Sequence, residues 1–80
     1  MAVLRLFAQA REAAGTSAVE LEGSSVGDVV RAATTRFGAD FEQVVAGSKL
    51  WLNGEPTEHD VAVGTHDEVA VLPPISGGCG

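Results

Sequence analysis

A single helical stripe set among several alternating runs limits the folds open to this chain. Between Ser25 and Gly38, the residues Val26, Val29, Val30, Ala33 and Phe37 recur at helical spacing, while Asp28, Arg31 and Arg36 fall off the stripe. Ser25 is a good N-cap, Asp28 three residues later resembles a capping box, and Gly38 marks the stop. Residues 2–8 (AVLRLFA), 17–22 (SAVELE), 49–53 (KLWLN) and 68–73 (EVAVLP) instead alternate with the period of a strand. Between the first two, residues 9–15 (QAREAAG) fit a helical turn closed by Gly15, and the short connection predicts an antiparallel hairpin. Phe41, Val44 and Val45 hint at one more short helical turn, ending near Gly47. Asn53-Gly54 is a strong turn signal, and Val61 and Val63 suggest a short edge strand within residues 55–65.

One main helix covers only one face of a sheet. The pattern therefore predicts a two-layer α+β fold of the β-grasp type. Its mixed sheet has four to five strands, with the first and last parallel in the centre and the helix on one face. Eighty residues hold one domain, which buries about 60–65% of the unfolded chain's surface, and a 45% apolar content supplies a small core without a staple. Residues 1–74 read as this domain and residues 75–80 as a flexible C-terminal tail.

The chain is acidic, with 11 Asp plus Glu against 5 Lys plus Arg and a net charge of −6. That argues against nucleic acid or an anionic membrane as partner and for a basic docking surface on another protein. One cysteine makes no internal disulfide, which fits a reducing cytoplasm. No apolar run approaches a membrane span. Ala8-Gln9-Ala10 resembles a signal-peptidase site, but the run before it is short and broken by Arg5, so the N-terminus reads as mature domain.

Alternation assigns faces. Leu4, Leu6 and Ala8 are expected on the core side, with Arg5 and Phe7 on the other. Lys49 and Asn53 carry Trp51 outward and leave Leu50 and Leu52 inside, and Glu68 does the same for Ala70 and Leu72. Phe7, Trp51, Ala70 and Leu72 would then form an apolar patch on the side without a helix, a common mark of a docking surface. Bends, or the loop after Gly54, would bury some of these side chains, and a one-residue slip of register would invert the faces.

The last residues, Pro73-Pro74-Ile75-Ser76-Gly77-Gly78-Cys79-Gly80, carry the chemistry. The prolines end the strand because each lacks an N–H and fixes φ, and Leu72 and Pro73, each preceding a proline, are expected to aim the tail outward. Gly77 and Gly78 have no Cβ and thread a narrow channel. A terminal glycine carboxylate is unhindered, and attack on the α-phosphate of ATP converts it to an acyl-adenylate that a sulfur or nitrogen nucleophile displaces. A frayed end of small residues has the same composition.

These residues bring a known family into view. The opening Leu6-Phe7-Ala8-Gln9-Ala10-Arg11-Glu12 with Gly15-Thr16, the helix in residues 26–37, and Asp67-Glu68-Val69-Ala70 followed by residues 72–78 (LPPISGG) carry a resemblance over nearly the whole chain. The chain resembles the MoaD/ThiS sulfur-carrier proteins, which are ubiquitin-like β-grasp domains, and within them the MoaD branch, the small subunit of molybdopterin synthase. The resemblance implies a carrier, not an enzyme. An adenylating enzyme of the ubiquitin-activating type would use ATP to activate Gly78, with no cofactor bound to the carrier. The product would be a thiocarboxylate. The tail, Pro73 to Gly77 leading Gly78, would insert into the large molybdopterin synthase subunit or another sulfur-accepting enzyme. Phe7 and Leu72 match the family's apolar contact positions. Trp51 rests on alternation alone.

The chain departs from the family's pattern in continuing past Gly-Gly with Cys79-Gly80, so Gly78 carries an amide where the chemistry needs a free acid. The resemblance implies removal of that extension by a zinc-dependent JAMM-type protease. Gly80 as the working terminus and an acyl shift at Cys79 are the other readings. Carriers for cysteine, thiamine or a secondary metabolite, and a ubiquitin-like protein modifier, remain alternatives for the function. His59 and His66 lie in polar segments without metal-ligand spacing and read as solvated turns, so no metal site is expected.

Overall fold

The computed structural model describes residues 1–74. Its elements are β1 (Ala2–Leu6), α1 (Ala8–Ala14), β2 (Ala18–Leu21), α2 (Val26–Phe37), α3 (Ala39–Ala46), β3 (Lys49–Leu52), β4 (Glu55–Pro56) and β5 (Glu68–Leu72). They form a five-stranded mixed sheet in the order β2-β1-β5-β3-β4. β1 runs parallel to β5 in the centre, and the other neighbours are antiparallel. This is the α+β, β-grasp arrangement that the pattern predicts.

The core lies between the sheet and the helices. Leu4 and Leu6 of β1 and Val69 and Val71 of β5 are buried, and they meet Val26, Val29, Val30 and Ala33 of α2. Ala10 of α1, Leu50 of β3 and Phe41 and Val45 of α3 complete it. Phe41 is fully buried, with its ring 5.2 Å from that of Phe37. α3 is thus a two-turn helix that seals one end of the core, more than the single turn hinted at by Phe41, Val44 and Val45.

The start of α2 explains how the polar middle of the chain is held. Ser25 Oγ accepts from the Asp28 N–H (3.1 Å), as an N-cap should. The expected reciprocal bond shifts by one residue, because the Asp28 carboxylate accepts from the N–H and hydroxyl of Ser24, not from Ser25. Two further N–H groups at the helix start have no intrahelical partner. Val26 N–H donates to Val61 C=O (2.9 Å) and Gly27 N–H to His59 C=O (2.7 Å). A Cβ on Gly27 would stand 3.1 Å from that His59 oxygen, so the close approach favours glycine here.

This capping corrects the expected edge strand. Val61 and Val63 form no strand. Their backbone is engaged with the α2 entry, through Val26 N–H to Val61 C=O, Val63 N–H to Ser24 C=O, and a lone bridge between Ser25 and Ala62. The edge is β4 instead, made by the two-residue hairpin at Asn53-Gly54, where both φ values are positive (52° and 87°). Pro56 is tolerated there because an edge position needs no inward N–H.

One other expectation changes. Ala8 does not extend the buried row of β1. It opens α1 with φ of 52° and is exposed, because the Phe7 carbonyl turns to accept from the N–H groups of Ala10 and Arg11. Pro73 is buried, continuing the inward row of Val69 and Val71, while Pro74 is exposed; the expectation that Leu72 and Pro73 aim the tail outward concerns residues outside those described.

Candidate docking surface at the root of the tail

The parallel pairing of β1 and β5 puts the C-terminal ends of both strands at one margin of the sheet. Leu6 pairs with Val71, so Phe7 and Leu72 emerge there together. On the other flank β3 pairs with β5, setting Lys49 opposite Leu72 and Trp51 opposite Ala70. The alternation that buries Leu4, Leu6, Val69 and Val71 leaves Arg5, Ala70, Leu72, Lys49 and Trp51 on the helix-free face.

At that margin lies a groove of 570 Å³. Phe7 and Ala8 wall it from the β1–α1 junction, Gly47, Lys49 and Trp51 from β3 and the turn before it, and Leu72, Pro73 and Pro74 from the end of β5. Phe7 is 42% exposed, unusual for a phenylalanine, whereas Trp51 and Leu72 are half-buried. Phe7, Trp51 and Leu72 therefore share one concavity with the two prolines of the tail root. Ala70 does not line it: it sits one step back, between Arg5 and Trp51 in the sheet. Ile75, Ser76, Gly77, Gly78, Cys79 and Gly80 lie outside the described residues.

Sequence reasoning missed Lys49, Ala8 and Gly47 as parts of this groove. Lys49 was legible as sharing a face with Trp51 two residues on. Ala8 was hidden by its change of element, and Gly47 has no side chain to follow.

The opposite margin of the same face is polar. Arg5 meets Glu68 at 3.3 Å, and Met1, Val3, Glu20 and His66 surround a shallow concavity with Asp67 and Glu68. Asp67 is tied by Asn53 Nδ2 (3.0 Å) and by the Gly64 N–H (2.7 Å). The Asn53 bond and then the Gly64 bond hold its carboxyl below the ordinary carboxylate range. Asp28 is lowered likewise, chiefly by the Ser24 hydroxyl and then the Ser24 N–H. His59 and His66 are exposed, and among the described residues no three His, Cys, Asp or Glu side chains are grouped to hold a metal. No described helix is long and apolar enough to cross a membrane.

The groove thus offers a largely apolar surface, edged by Lys49, beside the two prolines that lead into the last residues. Comparison with solved structures agrees with an architecture of this kind. The small archaeal modifier protein SAMP1 from Haloferax volcanii is 30% identical, with a TM-score of 0.81 over 96% of this chain and 98% of that one. A Pyrococcus furiosus protein provisionally named molybdopterin converting factor, subunit 1, is 27% identical, with a TM-score of 0.77 over 92% of this chain and 97% of that one. CysO in the Amycolatopsis orientalis BexX/CysO complex is 18% identical and shares the fold, with a TM-score of 0.81 over 98% of this chain and 100% of that one. The model of the ThiS family matches residues 4–78, nearly the whole chain through the second glycine of Gly77-Gly78, and the protein belongs to that family of β-grasp sulfur carriers and ubiquitin-like modifiers.

Proposed function

We propose that this protein carries sulfur as a thiocarboxylate on Gly78, in the first instance for molybdopterin synthesis. The observation that carries the reading is the family match ending at Gly78, which leaves Cys79-Gly80 beyond it. Hydrolysis of the Gly78–Cys79 bond by a protease frees the Gly78 carboxylate. That carboxylate attacks the α-phosphate of ATP on an adenylating enzyme of the ubiquitin-activating type, and pyrophosphate leaves. A sulfur nucleophile then displaces AMP from the acyl carbon. The carrier contributes a threadable end and a docking face, while its partners hold the catalytic groups. The apolar groove of Phe7, Trp51 and Leu72 at the tail root supports this division of labour, and the Pyrococcus furiosus neighbour supports the choice of pathway.

The decisive experiment is intact-mass analysis of the form ending at Gly78, incubated with ATP, the host's adenylating enzyme and a sulfur source. The expected product has one carboxylate oxygen replaced by sulfur. Failure to consume ATP or to gain sulfur would sink the reading. The 30% identity to a modifier protein favours a second reading, in which activated Gly78 passes to lysines of target proteins. Ladders of larger conjugates in place of the sulfur adduct would select it. For processing, full-length protein in host lysate is expected to lose Cys79-Gly80, and a full-length mass bearing sulfur on Gly80 would refute cleavage.

A further inference from the structure

The whole-molecule charge of −6 points to a basic partner, yet the groove at the tail root is edged by a cation. Lys49 is the only lysine in the chain. Two of the four arginines have carboxylate partners, Arg5 with Glu68 and Arg31 with Asp28, and Arg36 lies 5.9 Å above the Phe37 ring. Lys49 makes no ion pair among the described residues and is exposed. Glu58 lines a neighbouring groove with Lys49 without pairing to it. Beside Lys49 stand Trp51 on its own strand and Leu72 across the ladder. An ammonium without an ion-pair partner among the described residues, beside a groove of half-buried Trp51 and Leu72, is complementary to an apolar side chain accompanied by a carboxylate. A basic surface laid over the same spot would leave Lys49 facing like charge as it loses water.

We propose that the groove receives from the partner protein an apolar side chain flanked by a carboxylate, and that Lys49 pairs with that carboxylate. This rests on the reading of the chain as a carrier activated by a partner enzyme, and it makes Lys49 a specificity residue at the base of the tail. The acidic remainder of the molecule steers the approach over longer range, and Lys49 fixes which acidic-apolar spot of the partner meets the groove.

Trp51, the only tryptophan, reports occupancy of the groove. The test titrates the form ending at Gly78 with the host's adenylating enzyme of the ubiquitin-activating type, reading Trp51 emission and, separately, ATP–pyrophosphate exchange. Lys49→Glu is expected to weaken binding about 30-fold or more, Lys49→Met about fivefold, and Lys49→Arg less than about threefold. Added salt should weaken the native protein more steeply than Lys49→Met. Circular dichroism of each variant checks that it is folded.

Lys49→Glu binding within about threefold of the native protein, with exchange intact, overturns the inference alone. So does a complex in which Trp51 emission is unchanged. Absence of any binding or exchange by the native protein overturns the carrier reading as well. A free chain that dimerises with Trp51 shielded would assign the groove to a second copy. A shift of Trp51 emission in the free protein on Ile75→Gly would assign it to the chain's own tail. Either result overturns the proposal.

Discussion

The two faces of the central strands β1 and β5 are made of interleaved residues yet face different demands. Inward, Leu4, Leu6, Val69 and Val71 are sealed beneath the helices. Outward, Arg5, Glu68, Ala70 and Leu72 remain at least partly open to water. The inner row is uniformly aliphatic, because every member replaces water with protein. The outer row changes character along its length, from the Arg5–Glu68 pair at one margin to Leu72, Lys49 and Trp51 at the other. Burial explains the first row completely. The apolar margin of the second has no helix to cover it, and Phe7, 42% exposed, costs solvation in the free protein. Stability and docking are therefore separable by residue parity.

The sharpest way to break that separation is to truncate each side. Phe41→Ala, which empties a fully buried ring site, should destabilise the fold by about 3–5 kcal/mol, read by urea denaturation. A cost under about 1 kcal/mol would mean that α3 is not a structural seal. On the outer face, Phe7→Ala should leave the urea midpoint almost unchanged. It should weaken binding to the adenylating enzyme by about 2 kcal/mol, a factor of roughly 30. Loss of stability comparable to Phe41→Ala would collapse the distinction between the faces.

The contrast also explains what was legible in the chain. Strands paired through the core were readable because one buried face imposes strict alternation, as in Leu4, Leu6, Val69 and Val71. The α2 stripe was readable for the equivalent reason at helical period. From that parity alone Phe7, Trp51 and Leu72 emerged as neighbours on the far face. Residues 55–65 were not readable in this way. There Val61 and Val63 look like strand residues, but hydrogen bonds to the open end of α2 determine the conformation, and a donor left over by a helix far upstream leaves no periodic trace. Ala8 failed because it sits where β1 gives way to α1, and its side chain's direction is set by the turn rather than by parity. Lys49 was visible but looked like an ordinary exposed residue until the groove gave it neighbours.

Asn53 offers a test at the next level of magnitude. It holds a left-handed φ, accepts from the Glu68 N–H through Oδ1 (2.9 Å), and donates through Nδ2 to Asp67. It thereby links the β3–β4 hairpin to the start of β5. Asn53→Ala loses both bonds and leaves alanine in a left-handed conformation that asparagine tolerates better, so a loss of about 1–2 kcal/mol is expected. Because these bonds lie at the polar margin, binding at the groove should be preserved. Weakened docking in a folded Asn53→Ala variant would show that the two margins are coupled.

The smallest expected effect is on acid stability. Hydrogen bonds from Asn53 and Gly64 lower the Asp67 carboxyl in the folded protein, and those from Ser24 lower Asp28. The native state therefore binds fewer protons than the unfolded chain at mildly acidic pH, and stability rises with pH there. The contribution is complete above the unfolded carboxylate value of about 3.9 and is lost as pH falls through the lowered native values. Both side chains remain partly open to water, so solvent screens the effect and the acid limb should be shallow. Urea midpoints measured from about pH 7 down to about pH 3 should decline less steeply in Asp67→Asn than in the native protein, despite its lower starting stability. Asn53→Ala should flatten the limb in the same direction, because it removes the larger cause of the Asp67 shift. Equal slopes in all three proteins would mean that the knot joining Asn53, Asp67 and Gly64 positions the turn without holding its charge.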